Sequence, residues 1–111
     1  MRQYRIDQLT TADLRRIAER LAEMELGAGL DGMYWLPVPP PLLTPLQQKH
    51  VPHCGPYVMS VELEGDALSL ELLVRGRGRL RCECVGYASP ALQGYMIGYV
   101  DDMLRDLGVS L

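Results

Sequence analysis

Apolar and polar positions alternate along this chain with two different periods. Near the start, Leu14, Ile17, Ala18, Leu21 and Met24 recur at helical spacing, while Arg15, Arg16, Glu19, Arg20 and Glu23 fill the opposite face. Thr10 is a good N-cap, Asp13 places negative charge at the helix N-terminus, and Leu9 and Leu14 stand where a hydrophobic staple clamps the entry. Gly27 suits a left-handed C-cap. The pattern predicts a helix over 11–26, and Tyr4 and Ile6 before it suggest an extra edge strand.

From Tyr57 to Tyr87 the period becomes two. Tyr57, Met59, Val61 and Leu63 alternate with Val58, Ser60, Glu62 and Glu64, and Gly65-Asp66 is a plausible two-residue hairpin turn. That turn sets Leu63 opposite Leu68, Val61 opposite Leu70, Met59 opposite Leu72 and Tyr57 opposite Val74, so that inward residues meet inward residues. A second turn at Gly76-Arg77-Gly78 then pairs Val74 with Leu80, Leu72 with Cys82 and Leu70 with Cys84. A three-stranded antiparallel meander is the expectation.

Between helix and meander the pattern is irregular. Met33-Tyr34-Trp35-Leu36 reads as a short strand, and Pro37, Pro39, Pro40 and Pro41 force an extended path after it. Trp35, Leu36, Val38, Leu42 and Leu43 are too apolar for a flexible linker. Thr44-Pro45 opens a short helical turn to about His50. At the other end, Ser89-Pro90 starts a helix whose stripe is Leu92, Met96, Tyr99, Met103 and Leu107, closed by Gly108. The reading is α+β: a single domain, residues 1–111, with an N-terminal helix, a Pro-rich extended segment, the meander, and a C-terminal helix packed on one sheet face.

Composition narrows the functional classes. The chain has 111 residues, a formal charge of -3 and no apolar run long enough to span a bilayer. Neither nucleic acid nor membrane is an expected partner. No h-region follows Met1-Arg2-Gln3-Tyr4-Arg5, and Cys54, Cys82 and Cys84 do not form a disulfide framework, so a cytoplasmic location is expected.

Four groups of residues suggest chemistry. His50, His53 and Cys54 can ligate a metal, but their spacing matches no common zinc pattern. The meander register places Cys82 and Cys84 on the core face with Leu70, Leu72 and Leu80, where they read as small hydrophobes. Arg75, Arg77, Arg79 and Arg81 suit an anion or partner contact, or simply a charged, solvated strand end. Ala91, Gly94 and Gly98 share one face of the last helix, and with Trp35 they mark a surface for a second subunit or a protein partner. The functional expectation is a non-enzymatic interaction module without a cofactor, either a homodimer or an adaptor or chaperone-like binder. The alternative is a small ligand- or metal-binding protein built on His50, His53, Cys54 and the arginine hairpin.

Overall fold

A computed structural model of the chain describes residues 2–79 and 81–110. In order, the elements are β1 (Gln3–Ile6), α1 (Thr11–Glu23), β2 (Met33–Pro37), α2 (Pro45–Cys54), β3 (Tyr57–Glu64), β4 (Ala67–Glu71), β5 (Leu73–Gly76), β6 (Gly86–Tyr87) and α3 (Pro90–Asp106). The α+β reading holds, including the edge strand at Tyr4 and the C-terminal helix.

β3 is the central strand. β2 lies on one side of it, and β4 and β5 follow one another along the other side. β1 and β6 then pair with the far edges of β4 and β5. Every pairing is antiparallel. The hairpin at Gly65-Asp66 has the expected register, with Leu63 opposite Leu68 and Val61 opposite Leu70, and Gly65 supplies the positive φ of the turn.

Beyond Leu70 the expected register fails. Tyr57 faces Gly76 instead of Val74, a register shift of two residues, because the ladder is interrupted at Leu72 between β4 and β5. The break is satisfied locally: Leu72 N–H donates to Arg2 O at 3.1 Å, and Leu72 O accepts from Ala88 N–H at 2.8 Å. The third strand is accordingly short, with Leu73 facing Tyr87 and Val74 facing Gly86. Cys82 and Cys84 are therefore not paired with Leu72 and Leu70; they belong to a loop. The expected pairing of Val74 with Leu80 lies outside the described residues.

The helix ends follow their caps. Thr10 and Asp13 form a reciprocal capping box on α1, as do Thr44 and Gln47 on α2. α1 ends earlier than Gly27: Glu25 adopts the left-handed conformation, Leu26 N–H bonds to Leu21 O and Glu25 N–H to Ala22 O, a Schellman closure without glycine. α3 closes in the same way on Gly108, which tucks Val109 into the core. α2 runs one turn past His50, to Cys54, and carries Pro52 inside it.

One core unites the helices with one sheet face. Ile17 and Leu21 of α1 and Leu92, Met96, Val100 and Leu104 of α3 pack with Tyr57, Met59, Val61, Leu68, Leu70 and Val74. Tyr4 Oη donates to Asp101 at 2.6 Å and ties β1 to α3, and this bond pushes the Tyr4 phenol up to about 12. Among the described residues, the groove on the opposite sheet face is lined by strand residues and Arg77, none of them from a helix. Among the described residues no helix is long and apolar enough to cross a membrane.

Candidate metal centre

The extra turn of α2 creates the site. His50 and Cys54 are four residues apart, so they project from the same helix face, one above the other. The loop that replaces the expected third strand brings Cys82 and Cys84 to that face. The ligating atoms of His50, Cys54, Cys82 and Cys84 all lie within 4.8 Å of one another. His50 Nδ1 is 3.2 Å from Cys82 Sγ and 3.9 Å from Cys54 Sγ. With zinc–sulfur bonds of about 2.3 Å and zinc–nitrogen bonds of about 2.0 Å, tetrahedral ligands stand roughly 3.5–3.8 Å apart. The two His50–sulfur distances, 3.2 and 3.9 Å, bracket that spacing, and no pair in the cluster exceeds 4.8 Å. A two-iron cluster would spread its ligands over two metal centres and needs a wider set.

The surrounding backbone is built to hold this loop against the helix. Gly78 N–H donates to Cys54 O and Arg77 N–H to Pro56 O, each at 2.9 Å. Val85 N–H closes a turn on Cys82 O at 3.1 Å. The approach at Gly76 and Gly78 is so close that a Cβ would stand 2.5 Å from Cys54 O in the first case and 2.7 Å from Gly55 O in the second. Gln47 completes the clamp. It is buried, its Oε1 accepts from Thr44 N–H in the capping box, and its Nε2 donates to Cys84 O at 3.0 Å.

The electrostatics suit a cation. Burial, with Cys82 and Cys84 beside it, pushes the Cys54 thiol up to about 11. The Cys84 backbone N–H and the Cys84 side chain, aided by His50, bring Cys82 down to about 6. Sulfur atoms this close repel as thiolates unless a cation lies between them. Tyr57 Oη is fully buried and has no hydrogen-bond partner among the described residues. Burial raises its pKa, and the Cys84 thiol is the next largest influence on it. A metal-bound Cys84 thiolate is an acceptor suited to that hydroxyl, as outer-shell donors commonly serve ligating groups. The residues present therefore fit a single thiophilic metal ion.

Not every residue singled out in the sequence comes to this site. His53 is exposed on α2, outside the cluster. Arg75 is held by Glu71 through Nε–Oε1 at 2.8 Å, while Arg77, Arg79 and Arg81 stand exposed on the ligand loop and next to it. Trp35 is half-buried on the sheet face without helices. Ala91 and Gly94 are exposed and Gly98 half-exposed on α3, and nothing lies within 4 Å of a Cβ built at either glycine. Cys82, Cys84, Gln47 and Tyr57 are site residues that the strand pattern concealed. The helical spacing of His50 and Cys54 was the available signal.

No family model, curated protein or solved structure matches the chain.

Proposed function

We propose that this protein is a metal-binding domain in which one zinc ion, held by His50 Nδ1 and the thiolates of Cys54, Cys82 and Cys84, fastens the loop before β6 to α2. The convergence of four ligating atoms from two separate segments within 4.8 Å carries the reading. Three sulfurs and one imidazole form a ligand set typical of structural zinc, and a tetrahedral ion so held has no open position for substrate. The proposed role is structural and non-enzymatic: the ion shapes a surface for binding. A reducing, cytoplasmic setting suits ligands that must remain thiolates.

Elemental analysis of the protein purified without chelator is expected to find one zinc per chain. Cobalt substitution should give the intense visible bands of tetrahedral cobalt with sulfur-to-cobalt charge transfer. Cys82→Ser should weaken both signals and His53→Ala should leave them intact. Protein that neither retains zinc nor yields the cobalt spectrum would remove the proposal.

A second role, contact with another copy or a protein partner through α3, is favoured by the exposure of Ala91, Gly94 and Tyr95 on that helix. Light scattering across a concentration series tests it, and a strictly monomeric mass excludes the homodimer.

A further inference from the structure

The face of the sheet without helices is hollow. Val58 and Ser60, which point away from the core on the central strand, are only 4% and 9% exposed although no helix covers them. Side chains rising from neighbouring strands shield them: Trp35 and Met33 from β2, and the Arg75–Glu71 ion pair from β4 and β5. The result is a groove of about 360 Å³, within the size range of small-molecule sites.

The groove is polarised. Arg75 is committed to Glu71, but Arg77, two residues further on, lines the same end of the groove and forms no ion pair among the described residues. Glu62 lines the other end, four residues along β3 from Val58, a distance of roughly 13 Å in an extended strand. Between these ends the walls are the Trp35 ring and the Met33 thioether, over the methyls of Val58 and the Ser60 hydroxyl. Apolar walls bind an apolar body, a free guanidinium at one end accepts a carboxylate, and a carboxylate at the other end repels one.

We propose that this groove binds a small amphiphilic carboxylate, its ring or chain lying on Trp35, Met33 and Val58 and its carboxylate directed to Arg77. The groove shares no lining residue with the four-residue cluster, although Arg77 lies on the loop clamped to α2.

Trp35 is the single tryptophan of the chain, so its emission reads the groove directly. The probes are 4-phenylbutyrate, the neutral 4-phenylbutan-1-ol and the cationic 4-phenylbutylamine, titrated into the full-length protein as purified. Saturable change with the carboxylate is expected at a concentration at least tenfold below that needed for the alcohol or the amine. Arg77 is exposed and forms no ion pair among the described residues, so Arg77→Ala should fold normally, reduce the carboxylate to the level of the alcohol, and leave the alcohol unchanged. Glu62→Gln should tighten the carboxylate. The proposal is overturned if 4-phenylbutyrate gives no saturable signal, if the alcohol or amine binds as tightly, or if Arg77→Ala binds the carboxylate as well as the parent does.

Discussion

Tyr57 is the residue at which the proposed metal-loaded state and the metal-free one should differ most clearly. Its hydroxyl is buried without a partner among the described residues, and an unsatisfied buried hydroxyl costs about 1–3 kcal/mol. Tyr57→Phe deletes that group and keeps the ring. With metal removed, the variant is expected to be at least as stable as the parent. With metal bound, it loses a donor to the Cys84 thiolate, and its metal affinity should fall roughly 10–100-fold. Competition titrations with a chromophoric chelator measure the affinity, and thermal melts of the chelated proteins measure the stability. Opposite signs in the two states are the expected signature, whereas a merely structural phenol would shift both the same way. Gly78 gives a second test at this scale. A methyl there meets Gly55 O at 2.7 Å and His53 O at 2.8 Å, both backbone atoms that cannot swing away. Gly78→Ala should therefore destabilise the protein by about 1–3 kcal/mol and weaken metal binding, read by the same melts and titrations.

Among the elements, α3 behaves in the opposite way. Gly94 and Gly98 have nothing within 4 Å of an added Cβ, and a mid-helix glycine costs about 1 kcal/mol relative to alanine. Alanine at either position is expected to raise the stability of the isolated chain by up to about 1 kcal/mol, measured by thermal melts. A loss of stability accompanied by a lower mass in light scattering would instead identify a second copy on this face. Elements with a regular pattern were legible in the sequence. The capping chemistry of α1, the Gly65-Asp66 hairpin and the Gly108 stop of α3 all appear as read. The His50, Cys54, Cys82 and Cys84 cluster was hidden by two local departures. The short helical turn expected to end at about His50 runs on through Pro52 to Cys54, and only with that further turn do His50 and Cys54 share a face. Alternation also breaks at Leu72-Leu73-Val74, three apolar residues in succession. Read as a continuous strand, this stretch puts Cys82 and Cys84 into a ladder; read as an interruption, it releases them into a loop. A single sequence shows the break without saying where its backbone bonds go, and the partners, Arg2 O and Ala88 N–H, are remote in the chain.

For the molecule as a whole, the question is how much of the fold depends on the metal. The core formed by α1, α3 and the inner face of the sheet reaches Cys54 and Cys84, but it consists mostly of buried apolar side chains from outside the ligand loop. The loop is held by the backbone bonds of Arg77, Gly78 and Val85 and by Gln47, with few apolar contacts of its own beyond Cys82 and Cys84. Four of the chain's eleven basic residues, Arg75, Arg77, Arg79 and Arg81, lie on it or next to it, and like charges so close repel one another. Three thiolates around a divalent ion carry a net negative charge, which opposes that repulsion and adds to the tie across Cys54, Cys82 and Cys84. Chelation is therefore expected to open the loop without unfolding the domain. An ion present at about 1,000 times its dissociation constant stabilises the folded state by about 4 kcal/mol, so the melting temperature should fall with added chelator and recover with added zinc. Hydrogen exchange locates the effect. The amides of Gly78 and Val85, which bond to Cys54 O and Cys82 O, should lose protection on chelation, while those in the ladder that joins Val61 to Leu70 keep theirs. Uniform loss of protection across β3 and β4 would mean that the core itself needs the ion. Unchanged protection at Gly78 and Val85 would mean that the ion is not what holds the loop.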